Sequence, residues 1–123
     1  RGGEGKAGGS LTWALRWGKD AQSLEAMAAA GHSVPALDAR PSLTGYEWLY
    51  EAFVMLTTCR SMGMGAGPIP WTAIDRYADA EGLGEDDRYM LTAVILHMDK
   101  IYLDWVSEKQ KQQSHQSAGR RRA

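Results

Sequence analysis

Few side chains in this 123-residue sequence have the types and spacing that catalysis requires. Cys59 is the single cysteine, and it lies on a predicted apolar helix in line with Met55 and Met62. That position favours a buried hydrophobic residue over a nucleophile, which would need a neighbouring base. His97 lies in the middle of another predicted helix with no nucleophile suggested nearby, so we expect a core or partner-facing histidine. The sequence therefore predicts no catalytic residues.

Candidate sites for metals and cofactors are also incomplete. Asp75 and Asp79 share a helix face, but no histidine accompanies them, so a solvated acidic face is expected. One cysteine excludes a thiolate-rich zinc site within the chain. The glycine run GMGAG at 63–67 has no preceding strand, and Pro68 and Pro70 remove two backbone donors that a phosphate would need. We predict a turn between helices there, with no metal and no cofactor.

Charge is distributed unevenly along the chain. The net charge is −1, yet residues 10–107 contain seven basic and thirteen acidic residues, a charge of −6, and the two ends carry +5. A nucleic-acid-binding protein normally carries its positive charge on the folded body, so this distribution argues against nucleic acid as a partner. No apolar run is long enough to span a membrane, so a membrane partner is not expected either.

Apolar spacing predicts an all-α fold, a small bundle of four or five helices with flexible N- and C-terminal tails. Gly18 interrupts the first helix and could divide it in two, and Gly31 is a plausible stop. The helices are predicted at about residues 10–30, 44–62, 70–82 and 85–109. The predicted organisation is a flexible Gly-rich segment at 1–9, a single helical domain at 10–107 and a polar, basic-ended tail at 108–123.

Caps and apolar faces refine two of these helices. Ser10 could cap the first, and Thr44 and Glu47 have the spacing of a capping box for the second. The second helix has two adjacent apolar faces, which indicate a central helix or one with a second face for a partner. The first face comprises Tyr46, Leu49, Phe53 and Leu56, and the second comprises Trp48, Ala52, Met55 and Cys59. The helix at 85–109 has an inward face that includes Leu91, Val94, Ile95 and Met98.

Aromatic residues are the most informative feature of the composition. The chain has five tryptophans and five tyrosines but one phenylalanine, which is more than a small helical core needs. Tryptophan and tyrosine are enriched at protein interfaces because they combine a large apolar surface with a polar edge. The predicted partner-binding residues are Trp48, Trp71, Tyr77, Tyr102 and Trp105.

Residues 71–97 have the outline of a helix-turn-helix motif, with a short glycine-containing turn between two predicted helices. The presumed recognition helix, however, begins with Glu85, Asp86 and Asp87. Three negative charges would meet the phosphates of DNA, so a DNA-binding regulator is the weakest of the functional alternatives.

The second half of the chain resembles small helical proteins of the tail-morphogenesis cluster of long-tailed bacteriophages and prophages. The resemblance covers residues 44–106 and is carried by structural rather than catalytic motifs. These are GAGPIPW at 65–71, Ile74-Asp75 with Tyr77, Met98-Asp99 with Tyr102, Leu103 and Trp105, and the Tyr46-Glu47-Trp48 helix that ends near Arg60.

The resemblance implies a non-enzymatic tail assembly chaperone that binds the tape-measure protein in the cytoplasm of the bacterial host before the tail tube polymerises. An acidic helical body with aromatic faces suits the reversible cover of an aggregation-prone helical partner. The alternative is a structural component of the virion at the head–tail junction. Another tail protein as the partner, and a homo-oligomer, are both left open.

Overall fold

The computed structural model describes the backbone of residues 2–63 and 65–122, and the side chains of residues 4–63 and 65–115. Over these ranges the chain is all-α and contains no strand, which confirms the predicted fold class. Five of the helices in these ranges have nine or more residues, and α3 is a single turn. The helices are α1 (Gly2–Trp17), α2 (Ala21–Ala29), α3 (Pro35–Asp38), α4 (Glu47–Leu56), α5 (Trp71–Ala80) and α6 (Glu85–Arg122).

Helix α6 is the central element of the bundle. Leu91, Val94, Ile95 and Met98 are almost completely buried along one face of it, as their spacing predicted. Helices α1, α4 and α5 each pack against α6. Burial of each of these apolar side chains stabilises the fold by about 1.5–3 kcal/mol, so one face of one helix organises the core.

Helix α1 begins eight residues earlier than predicted. The cap predicted at Ser10 is therefore absent, because Ser10 lies inside the helix. Ala7 is completely buried, and Gly8 lies so close to α6 that a Cβ atom on it would be 2.6 Å from the His97 ring. Five glycines in residues 2–9 predict a flexible segment from propensity alone, but packing against α6 overrides that preference.

The connection from α1 to α4 follows the predicted turn residues. A 3-10 turn at Gly18–Asp20 divides the first predicted helix in two, and Gly31, with φ of 94°, ends α2. The Trp13 indole Nε1 donates a 2.7 Å hydrogen bond to the Ala36 carbonyl oxygen, which fixes α3 against α1. Residues 35–38, which lie between the helices predicted at 10–30 and 44–62, thus form one helical turn.

Helix α4 begins at Glu47 without the predicted capping box. Its N-cap residue is Tyr46, which makes no side-chain cap. The Glu47 Oε2 atom instead accepts a hydrogen bond from the Gly45 backbone N–H at 2.8 Å, and Thr44 contacts Ser42. Gly45 has a φ of 88°, so the chain turns too sharply there for the Thr44 side chain to reach the helix.

The two apolar faces of α4 have different surroundings. Leu49, Phe53 and Leu56 are buried against the core, which confirms the first face. On the second face Ala52 is buried, but Met55 and Cys59 are exposed, so the prediction of a buried Cys59 was wrong. The helix ends at Leu56, six residues before the end predicted at about residue 62, and a 3-10 turn at Thr57–Cys59 follows it.

Helix α6 is thirteen residues longer than predicted and ends at Arg122. The described side chains of residues 107–115 are all exposed, so this part of the helix does not depend on core packing. Gln and Lys favour helix, and Lys111 forms an i,i+3 ion pair with Glu108 at 3.6 Å. The boundaries predicted at 9/10 and 107/108 both lie inside helices. The side chains of the basic end Arg120–Arg122 lie outside the described residues, as does Met64 of the glycine run.

Within the described residues, none of the helices is both long enough and apolar enough to cross a membrane.

Candidate functional site

A buried ion pair joins Arg60, which follows the 3-10 turn after α4, to Asp99 in the middle of α6. The Arg60 Nη1 atom is 2.7 Å from the Asp99 Oδ1 atom, and the two residues are only 6% and 4% exposed. The Arg60 guanidinium also lies over the Tyr102 ring, 4.5 Å from its centroid. A buried charge is costly unless it is paired and hydrogen-bonded, so an arrangement of this kind constrains the surrounding backbone.

The ion pair holds the loop that precedes α5. Arg60 Nη1 donates a 2.9 Å hydrogen bond to the Gly67 carbonyl oxygen, and the Ile69 backbone N–H donates a 3.0 Å bond to Asp99 Oδ2. The Gly67 backbone N–H donates a 2.7 Å hydrogen bond to the Ser61 carbonyl oxygen, and a Cβ atom added to Gly67 would lie only 3.2 Å from that oxygen. The loop predicted as a simple turn is therefore held at Gly67 and Ile69, just before α5, by two charged side chains.

This loop determines where α5 begins. Ile69 is buried, and Pro70 is the N-cap residue with an extended backbone, so Trp71 becomes the first residue of the helix. The Trp71 side chain is 72% exposed. The buried ion pair fixes the backbone at Ile69, Pro70 follows as the N-cap, and the exposed Trp71 ring comes next.

Trp71 lines an open groove between α5 on one side and, on the other, the end of α4 with the 3-10 turn that follows it. The groove has a volume of about 760 Å³. On the α4 side it is lined by Met55, which is 62% exposed, and by the exposed Cys59. Pro70, Trp71 and Tyr77 line the α5 side. We call this feature the α4–α5 groove; its walls are largely apolar and it is accessible from solvent.

Acidic side chains surround the groove. Burial raises the pKa of Tyr77 above its ordinary value, and the negative charges of Glu81 and Glu51 raise it further. Asp75 and Asp79 also line the groove, and both contact the Arg88 guanidinium; the Arg88 Nη1–Asp75 Oδ1 distance is 3.2 Å. The hydrogen bond to Asp79 raises the pKa of Arg88.

The five predicted partner-binding residues do not form one surface. Trp71 and Tyr77 lie together in the α4–α5 groove. Tyr102 and Trp105 have ring centroids 6.1 Å apart on α6, where Tyr102 also contacts Arg60 and packs against the core. Trp48 is partly buried against the core.

Trp105 belongs to a second groove, between α1 and α6, with a volume of about 420 Å³. Leu15 and Ile101 contribute apolar walls, and Arg16 and Lys109 contribute positive charge. The Lys109 ammonium lies 5.7 Å from the centroid of the Trp105 ring. The two grooves therefore differ in the sign of their surrounding charge.

Sequence reasoning placed Cys59 in the core, left open whether the face with Met55 is buried or binds a partner, and assigned no role to the Arg60–Asp99 pair. Asp99 offered a usable signal, because it interrupts an apolar stripe four residues after the buried Ile95. Arg60, at the end of an apolar helix, offered a matching one. Nothing in local spacing shows that the two meet, since they are far apart in sequence.

No metal site is formed by the described residues, where no three His, Cys, Asp or Glu side chains come together. Burial also raises the pKa of Tyr50, against the lowering effect of Arg40. The described residues do form two open grooves lined with apolar and aromatic side chains, an arrangement that can bind a partner.

Comparison with models of protein families gives a match over most of the chain. Residues 26–104, more than half of the chain, match a family described as phage tail assembly chaperone. Comparison with curated proteins and with solved structures gives no significant match. The matched segment contains the Arg60–Asp99 pair and the whole α4–α5 groove, and it excludes α1.

Proposed function

This chain belongs to the phage tail assembly chaperone family and so has a role in tail assembly, and we propose that it acts by binding the tape-measure protein before the tail tube polymerises. The proposed site of binding is the α4–α5 groove. In this role the chain is non-enzymatic, uses no cofactor, and works in the cytoplasm of the bacterial host.

The observation that supports this proposal most strongly is the exposure of large apolar side chains in the groove. Trp71 and Met55 are both more than three-fifths exposed on facing sides of it. Exposed apolar surfaces rimmed by polar residues are typical of protein-binding sites, and methionine adapts to different partners because its side chain is flexible. A chaperone needs such a surface to cover apolar segments of its client reversibly.

The predicted partner-binding residues are assigned different parts in this proposal. Trp71 and Tyr77 contact the client directly. Tyr102 supports the groove through Arg60. Trp105, in the separate basic groove, is proposed as a second contact, and Trp48 stabilises α4 from the core side.

The main alternative is a virion structural component at the head–tail junction, which would use the same groove for a permanent contact. A DNA-binding regulator is the weaker alternative. Arg88, the basic residue of the first turns of α6, contacts Asp75 and Asp79 and follows Glu85, Asp86 and Asp87. Phosphate groups would meet net negative charge there.

Affinity purification during phage production tests the proposal. A tagged copy of the chain is expressed in a host that produces the phage, and the bound proteins and the mature virions are analysed by mass spectrometry. We expect the tape-measure protein among the bound proteins and the chain to be absent from virions. Recovery of the chain from purified virions in stoichiometric amounts would support the structural alternative and contradict the chaperone proposal.

A further inference from the structure

We propose that the α4–α5 groove accepts a single amphipathic helix of the partner whose apolar residues are flanked by lysine or arginine. This inference rests on the proposed function, since it names the kind of segment that the chaperone would bind.

The groove suits a helix better than an extended strand. It lies between two helical segments, and the described residues offer no sheet edge to which a strand could be added. Its volume of about 760 Å³ is within the range of pockets that bury a drug-sized ligand. Met55 and Trp71 can contact apolar side chains that recur at three- and four-residue steps on one helix face.

Charge determines which helices fit. Within the groove, Asp75 and Asp79 are balanced by Arg88, which contacts both, and by Arg76. Glu51 and Glu81 are exposed and form no ion pair with any described residue. Two negative charges therefore remain uncompensated beside an otherwise balanced apolar groove.

Glu51 precedes the lining residue Met55 by one turn of α4, and Glu81 follows the lining residue Tyr77 by one turn at the end of α5, so both charges lie beside the groove wall. Tyr77 lines the groove, and the charges of both Glu51 and Glu81 oppose the ionisation of its hydroxyl. The same field that disfavours a phenolate there favours a cation from a partner. The body of the chain, with its charge of −6 over residues 10–107, acts in the same direction.

A second copy of this chain fits the groove less well. Its basic helical segment lies beyond Lys109, and residues 108–115 include no large apolar side chain that could fill the groove. A helix that fits the groove must have both an apolar face and a basic flank. We therefore assign the groove to a helix of the partner rather than to a second copy of this chain.

Two synthetic helical peptides and the single cysteine provide the test. The peptides share the same leucine positions, and one is flanked by lysines and the other by glutamates. Cys59, which is exposed and lines the groove, carries a small trifluoromethyl label whose ¹⁹F signal reports occupancy. The NMR shifts of the backbone amides of α5, measured in protein without the trifluoromethyl group, provide a second readout in case that group obstructs binding.

We expect the lysine-flanked peptide to bind about tenfold more tightly than the glutamate-flanked peptide, with a ratio that falls as salt is added. The double variant Glu51→Gln/Glu81→Gln should lose most of this preference. The matched variant Asp20→Asn/Asp38→Asn removes the same charge from two exposed residues without an ion pair among the described residues, away from the groove, and it should keep the preference. Circular dichroism verifies that both variants are folded.

Equal binding of the two peptides, or equal effects of the two double variants, would overturn the inference. So would a ¹⁹F signal that changes with protein concentration alone, because the occupant would then be a second copy. Recovery of the tape-measure protein together with equal peptide binding would refute the charge preference and leave the proposed function intact. Charge-selective peptide binding without recovery of that protein would refute the proposed function alone.

Discussion

The Arg60–Asp99 ion pair couples the loop before α5 to the central helix. Both side chains are buried, and both hydrogen-bond the loop backbone, at Gly67 and Ile69. This pair holds two backbone groups of the loop, which an apolar replacement of the same size would leave without these bonds. At the residue scale, this pair is what places Trp71 on the surface.

Removing one partner should be strongly destabilising. Asp99→Ala leaves the Arg60 guanidinium buried without its counter-charge, and we expect the free energy of unfolding to fall by about 3–5 kcal/mol. Urea denaturation monitored by circular dichroism measures this loss. Asp75→Ala is the matched control, because it breaks an exposed ion pair with Arg88, and its effect should be much smaller. Equal losses in the two variants would contradict the assigned role of the buried pair.

Substitution of a core tryptophan and of a surface tryptophan should have different effects on stability. Trp13 is 7% exposed and hydrogen-bonds the Ala36 carbonyl oxygen, so Trp13→Ala should cost about 3–5 kcal/mol of stability. Trp71→Ala should leave the melting temperature nearly unchanged and weaken partner binding by about 2 kcal/mol or more. Thermal melts and binding titrations of both variants check this. A steep fall in melting temperature for Trp71→Ala would place that ring in the core.

Alkaline pH should destabilise the fold through Tyr50 and Tyr77. Burial raises the pKa of both above the ordinary value of 10.0, so the unfolded chain releases these protons first as pH rises. The stabilisation is complete below pH 10 and is lost as the pH passes through the folded-state values. Urea midpoints between pH 8 and the alkaline limit of the fold measure this. The Tyr50→Phe/Tyr77→Phe variant should show a flatter decline; a decline as steep as that of the wild type would contradict the prediction.

At the scale of elements, apolar periodicity and glycine positions predicted those helix faces, breaks and turns that local sequence determines. The buried faces of α4 and α6, the break at Gly18 and the turns at Gly31 and Gly82 all follow from spacing and from backbone conformation. Helix α1 could not be predicted in this way, because its glycine-rich start is helical only through contact with α6. Tertiary packing outweighs propensity where a small residue permits close approach.

Two glycines of α1 test this explanation. A Cβ on Gly5 would meet nothing within 4 Å, so Gly5→Ala should stabilise the protein by about 0.5–1 kcal/mol through helix propensity. Gly8→Ala gains the same propensity, but its Cβ would be 2.6 Å from His97 and 3.1 Å from Ile101. We expect Gly8→Ala to be less stable than Gly5→Ala in urea denaturation. Equal stabilisation would show that α1 does not pack closely on α6.

At the scale of the whole molecule, the candidate site could be predicted only in part. The aromatic content pointed to a binding surface, and Trp71 and Tyr77 do share a groove. The exposure of Met55 and Cys59 depends on which side of α4 the rest of the chain leaves uncovered, which spacing within one helix cannot reveal. The Arg60–Asp99 contact depends on the packing of segments distant in sequence, and no local rule specifies such a contact.

The whole chain also combines an acidic body with an exposed apolar groove. The acidic charge favours basic-flanked apolar segments of a partner. This combination suits a protein that covers a client during tail assembly, and it places the α4–α5 groove at the centre of the proposed function.

Co-expression with the tape-measure protein, followed by size-exclusion chromatography, tests the role of the groove most directly. Three forms of the chain are compared: wild type, the groove variant Met55→Ser/Trp71→Ala, and Tyr89→Ala, which removes a 79% exposed aromatic ring from α6 outside the residues that line the groove. We expect the wild type and Tyr89→Ala to elute with the tape-measure protein, and the groove variant to elute alone. Co-elution of all three forms, or of none, would contradict the assignment of the groove as the client-binding site.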